Sequence, residues 1–203
     1  MFIRKLQLTN FKNHAKLSFS FNKNIVAFVG LNGIGKTNIL DALYFLCVGK
    51  SYFSTTDKNC IKEDESFFRI EQKITLNNNE ENDVVVVLEQ NKRKKIVLND
   101  NPIDKLTELV GKFPVVIVAP NDNMIILGGS AERRKFLDYT LSMTDRDYLE
   151  NIVQYNHYLK QRNALLKLDE GQRINESLLE IYNKHLISLG AYIYEKRSHF
   201  IDD

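Results

Sequence analysis

The sequence predicts an α/β domain followed by a helical arm, and three observations carry that expectation. A continuous apolar run, Ile25-Val26-Ala27-Phe28-Val29, leads through a glycine-rich turn into residues at helical spacing. Strand-like alternation recurs before and after it. From Ser130 onward the texture is helical. A chain of 203 residues, 43% of them hydrophobic, suffices for one such domain with a real core plus an appendage.

The strands come first. Residues 4–9 alternate with Leu6 and Leu8 on one face, and residues 16–21 do so through Leu17, Phe19 and Phe21. The run 25–29 does not alternate, which is the pattern of a strand buried on both faces. Ile39, Leu40, Leu43, Leu46 and Cys47 then recur at helical spacing, and Gly49 stands where a helix would stop. Residues 67–76, 83–90 and 94–98 read as an antiparallel meander. The polar segment 77–82 and Asn99-Asp100-Asn101-Pro102 supply its turns. Residues 115–119 form a second short buried run, stopped by Pro120.

In the helical part, Phe136, Leu137, Thr140 and Leu141 share a face. Thr144 and Asp147 read as a capping box. It opens an amphipathic helix bearing Leu149, Ile152, Val153, Asn156, Leu159 and Leu166, which residues 169–173 break. A second helix runs from about Glu176 through Leu179, Tyr182, Leu186, Leu189 and Ile193. The expected division is 1–128 for the α/β part and 129–203 for a helical lobe.

Composition narrows the setting. No apolar run approaches the roughly 20 residues of a membrane helix, and the N-terminus lacks the apolar stretch of a signal peptide. The expectation is a cytoplasmic chain with no membrane contact. Cys47 and Cys60 lack metal-ligand spacing and suit reduced core positions. His14, His157, His185 and His199 are scattered and form no metal or catalytic set. Net charge is only +2, yet residues 1–60 hold eight Lys/Arg against two Asp/Glu. That third either suits an anionic partner or is simply poor in acids.

One motif carries chemistry. Gly30-Leu31-Asn32-Gly33-Ile34-Gly35-Lys36-Thr37 fits the P-loop pattern G-x-x-x-x-G-K-[ST], between an apolar run and an amphipathic helix. Its glycines permit positive φ and close approach of backbone to phosphate. Loop N–H groups and the helix N-terminus would surround the anion. Lys36 would reach the β- and γ-phosphates of ATP, and the Thr37 hydroxyl would coordinate Mg2+. A second ATPase motif would need an acid after an apolar strand. Glu89 after Val84–Leu88 has that form, and Asp122 after 115–119 has it more loosely. Glu89 reads more simply as one face of the meander.

Several segments together carry a resemblance to known families. Leu8-Thr9-Asn10-Phe11-Lys12-Asn13, then Phe28-Val29-Gly30 to Thr37-Asn38-Ile39-Leu40-Asp41-Ala42-Leu43-Tyr44, resemble the opening of ABC-type ATPase heads such as SMC and Rad50. Gly49-Lys50-Ser51, Val118-Ala119-Pro120-Asn121-Asp122, Gly129 to Asp138 and Gln161-Arg162-Asn163-Ala164-Leu165-Leu166-Lys167 resemble the RecF family in order and spacing. Asn121 departs from the family's usual Glu, and Phe53 or Ser54 from its frequent Arg. RecF proteins are nearly twice as long, so the resemblance implies a truncated head without signature motif, aspartate-rich second motif or switch residues.

The resemblance implies an ABC-type α/β head of Rad50-like mixed sheet, lobe I, with a helical lobe II arm. It implies ATP with Mg2+, a nucleotide seat of Gly30, Asn32, Gly33, Gly35, Lys36, Thr37, Asn38, Lys12 and Asn13, and an ATP-dependent homodimer. That dimer would clamp duplex DNA at single-strand gaps with RecR and RecO and help load RecA in repair, recombination, replication and the SOS response. Lys92, Arg93, Lys94, Lys95, Arg133 and Arg134 are candidate DNA contacts, or merely solvated cations. Two rival readings remain: another P-loop enzyme using Glu89 as metal partner, and a non-catalytic nucleotide-binding fragment.

Overall fold

Alternation along the strands builds one apolar face of a six-stranded antiparallel sheet, ordered β2-β1-β3-β4-β5-β6. The computed structural model describes residues 1–167 and 175–202. The strands are β1 (Phe2–Phe11), β2 (His14–Ser20), β3 (Phe67–Thr75), β4 (Glu81–Glu89), β5 (Lys95–Leu98) and β6 (Asn101–Ile103). The register aligns Leu17, Leu8, Ile70, Val86, Ile96 and Ile103 in one row across all six. Because side chains alternate between faces, a slip of one residue would turn this row into solvent.

Helix α1 (Lys36–Val48) covers that face. Phe45 meets Phe11 and Phe68 edge-on, with ring centroids 6.3 and 5.5 Å apart, and all three rings are fully buried. Each such burial contributes roughly 2–3 kcal/mol. Gly49 ends the helix at φ 80, and its N–H donates to the Phe45 carbonyl, the left-handed stop that favours glycine. Leu40, expected on the apolar face, is instead exposed. Gln72 sits in the register between Leu6 and Val84 and is buried, with no hydrogen-bond partner for either amide atom among the described residues.

Two expected strands are absent from the sheet. Residues 25–29 and 115–119 have no strand pairing among the described residues. Ile25 and Val29 are 90% and 88% exposed, and Val116 and Val118 are 88% and 85% exposed. An apolar run becomes a buried strand only when neighbours pair with it, and neither run joins the ladder of β1 to β6 among the described residues. Phe28 is anchored, packing on Phe19 and Phe21 of the β2 segment at 5.3 and 6.3 Å, and Ala119 is buried with its N–H donating to Asp122 at 2.6 Å.

The chain divides into two compact units, Met1–Ile117 and Val118–Asp203. The second unit holds α2 (Met124–Leu127), α3 (Ser130–Thr144), α4 (Arg146–Leu165) and α5 (Glu176–Asp202). Helix α4 runs antiparallel to α5, since Asp145 before its start pairs with Lys196 and Arg162 near its end donates to Asn183. Leu141, Tyr148, Ile152 and Ile193 form its core. Arg197 ties all three long helices, donating to Asp138 of α3 at 2.6 Å and to the Tyr148 hydroxyl of α4.

The capping box expected from Thr144 and Asp147 is not formed. Helix α3 continues through Thr144, whose hydroxyl bonds back to the Thr140 carbonyl. The extended residue Asp145 caps α4 instead, accepting from the Tyr148 N–H at 2.9 Å. The expected break at 169–173 lies outside the described residues.

Candidate nucleotide site

The site is built where the turn after β1 meets the loop before α1. Gly30, Gly33 and Gly35 take φ 151, 81 and 97, the region that favours glycine. Gly35 caps α1 without a side-chain bond, and its carbonyl accepts from the N–H groups of Asn38 and Ile39 at 3.0 and 3.3 Å. No acidic side chain stands in the helix's first turn. The Lys36 ammonium curls back over the loop, donating to the carbonyls of Gly30 and Leu31 at 2.9 and 2.8 Å. Asn32 and Thr37 are exposed. A loop of this shape opening a helix, with an ammonium folded over it, fits an oxyanion such as phosphate.

The β1–β2 turn supports the loop with two consecutive residues. Asn13 donates to the Gly33 carbonyl at 3.3 Å, and its side-chain oxygen accepts from the Asn38 amide at 2.8 Å. His14 places Nε2 3.1 Å from the Gly35 carbonyl oxygen. Lys12, at φ 52, points elsewhere. Its ammonium pairs with Asp41 of α1 at 2.6 Å. Asp41 is fully buried and also accepts from the Ser51 hydroxyl and the Tyr52 N–H, both at 2.7 Å.

The structure thus brings Asn13, Asn38 and the loop together, while Lys12 is engaged one layer behind them. Sequence reasoning missed His14 and Asp41. Asp41 carried a usable signal, an acid placed within the apolar face of α1; His14 carried none.

Glu89 ends β4 in an antiparallel pairing with Phe67, and Lys92 across the turn holds its carboxyl below the usual range. Of the basic run, Lys92 is thereby paired with Glu89. Lys94 is drawn inward, bonding Asp57 and the Gly49 carbonyl, with its ammonium 5.1 Å from the Phe45 ring centroid. Arg93 and Lys95 are exposed. Arg133 donates to the Gly128 carbonyl at 3.1 Å, and Arg134 is exposed. Both cysteines are buried free thiols, and burial pushes Cys47 up to about 12. Among the described residues no group of three His, Cys, Asp or Glu could hold a metal, and no helix is long and apolar enough to cross a membrane.

The family model of the AAA domain matches residues 5–194. The chain belongs to the AAA domain family. Among curated proteins it is 37% identical to the DNA replication and repair protein RecF of Cytophaga hutchinsonii, covering 99% of this chain and 53% of that one. It is 40% identical to the protein of the same name in Flavobacterium johnsoniae, covering 100% and 56%. The resemblance to RecF therefore holds across the whole chain, which spans about half the length of these relatives. A solved structure of the recombination mediator protein RecF with ATP superposes with a TM-score of 0.91 at 31% identity, covering 98% of this chain and 54% of that one. An SMC ATPase structure at 21% identity and TM-score 0.55 shares the fold alone. The expected α/β head of the RecF and SMC kind is what the chain adopts.

Proposed function

We propose that this chain is the ATP-binding part of a RecF-type repair ATPase. The observation that carries the reading is the Gly30–Thr37 loop itself. Its three glycines have positive φ, its helix begins uncapped by any side chain, and its lysine lies folded over it. ATP phosphates would sit among the N–H groups of Gly33, Gly35, Lys36 and Thr37, with Asn32, Asn38 and Asn13 at the rim. The Thr37 hydroxyl would hold Mg2+. Bound there, the metal supplies charge neutralisation to the phosphates. The naming of full-length relatives supports a place in recombinational repair.

The finer reading follows the family. The complete protein would close as an ATP-dependent homodimer on duplex DNA beside a single-strand gap, with RecR and RecO, to help load RecA. Residues 1–128 would form lobe I and 129–203 the arm. The remaining half of a RecF-length polypeptide would pair with the exposed runs at 25–29 and 115–118. Arg93, Lys95 and Arg134 are the exposed cations we assign to DNA phosphate. Removing Arg93 and Lys95 together should weaken DNA binding alike for all sequences and lower the salt slope by about one per lost contact.

The test is calorimetric titration of the full chain with Mg-ATP, beside Lys36→Ala. Among the described residues the Lys36 ammonium bonds loop carbonyls alone, so the variant should keep its melting temperature and lose ATP binding. Equal affinity in both proteins would overturn the reading.

A further inference from the structure

We infer that the Asn13–His14 turn is a latch that aims the P-loop's N–H groups, with His14 as a positioning residue for the nucleotide phosphates. The inference rests on the nucleotide reading above and goes beyond it to a residue that no P-loop pattern contains.

A carbonyl and the N–H of the next residue belong to one planar trans peptide and point in opposite directions. Whatever holds the Gly33 carbonyl therefore sets the direction of the Ile34 N–H. Whatever holds the Gly35 carbonyl sets that of the Lys36 N–H. Asn13 holds the first carbonyl at 3.3 Å, and His14 at 3.1 Å adds a third contact to the second, which the Asn38 and Ile39 N–H groups already bond. Two adjacent residues of one turn thus draw two loop carbonyls toward the sheet and turn the paired N–H groups away from it.

The latch is anchored at its base. His14 begins β2 and faces Phe11 across the β1–β2 pair, so its backbone is held by the sheet. Asn13 is fixed at its other side-chain atom by the Asn38 amide. The fit is also close. A Cβ built on Gly35 would stand 2.4 Å from the Asn13 side chain and 2.6 Å from that of His14. A side chain at Gly35 would have to push the tips of Asn13 and His14 off the loop carbonyls they bond.

The chemistry fixes the proton on His14. A carbonyl oxygen can only accept, so Nε2 must carry hydrogen. Neutral imidazole protonated at Nε2 and the imidazolium both meet that demand. Glutamine can present an N–H at similar reach; leucine of similar bulk cannot.

The test compares His14→Leu and His14→Gln in the full chain, by Mg-ATP titration and by hydrogen exchange of the amides of residues 30–36 without nucleotide. Loss of one neutral hydrogen bond should weaken ATP binding roughly fivefold in H14L, and H14Q should recover most of it. Loop amides should exchange faster in H14L than in H14Q. Wild-type affinity in H14L, or equal weakening in both variants, would overturn the latch. If the wild-type chain bound no ATP, the nucleotide reading would fall by itself. Equal loop exchange in the two variants would then overturn the latch separately.

Discussion

Lys12 and Asp41 form an ion pair of 2.6 Å that joins the end of β1 to the second turn of the P-loop helix, with Asp41 wholly out of water. The Ser51 hydroxyl and Tyr52 N–H complete the shell of the carboxylate, so the loop after α1 is tied to the same point. Lys12→Met should cost about 3 kcal/mol in urea unfolding, the lower end of the range for stranding a buried charge, because two hydrogen bonds to Asp41 remain. If Lys12 instead served mainly as a phosphate contact, ATP affinity would fall in the variant while its unfolding midpoint stayed in place.

Gly33 and Gly35 separate two costs of a side chain in this loop. Both have positive φ, but a Cβ on Gly33 meets nothing within 4 Å, whereas one on Gly35 strikes Asn13 and His14. Gly33→Ala should lose about 1 kcal/mol, the left-handed penalty alone. Gly35→Ala should lose more, because it also pushes the Asn13 and His14 side chains off their loop carbonyls. Equal unfolding midpoints for the two variants would remove the close packing from the account.

Gln72 is a cost without an evident return in the sheet. Its amide is buried between Leu6 and Val84 with neither atom bonded among the described residues. A stranded polar group of this kind costs about 1–3 kcal/mol, and an apolar residue of like volume avoids it. Gln72→Met should raise the unfolding midpoint in urea; a lower midpoint would show that the amide has a partner worth more than its burial.

Asp145 carries both a cap and a charge pair. Its carboxyl lies below the usual range, first because Lys196 donates to it and then because the Tyr148 N–H does. A depressed carboxyl contributes stability that is present above its unfolded value and lost as pH falls through the folded one. Asp145→Ala should cost about 1 kcal/mol at neutral pH, mostly as a lost cap. Asp145→Asn keeps the cap and should lose less, since the Lys196 pair is partly exposed and screened by water. Below the folded value, Asp145→Asn and wild type should converge in denaturation midpoint, and a constant gap down to the lowest pH would contradict the assignment.

The parts of this protein legible in its sequence are those written locally. Leu6, Leu8, Ile70, Val84 and Val86 reveal their face by period two, and the loop from Gly30 to Thr37 by spacing. Residues 25–29 reveal only that they would suit a buried strand; whether a neighbour bonds to them is not encoded in the run itself. Lys94 reads as one of four like charges, because its partner Asp57 lies 37 residues away. Thr144 and Asp145 are both able to cap a helix, and the choice was made by how far α3 runs, reinforced by Lys196 from 51 residues away. His14 has no periodic mark at all, since its role depends on a backbone carbonyl of another element.

Lys94 has a consequence for the C-terminal end of α1. A helix of 13 residues is about 20 Å long and presents a partial negative charge at its last carbonyls. An ammonium on the Gly49 carbonyl, flanked by Asp57, quiets that pole. Asp57 shares that ammonium and such end effects fade within one turn, so the contact fastens the meander to the tail of α1 and leaves the field at Gly35 to the loop itself.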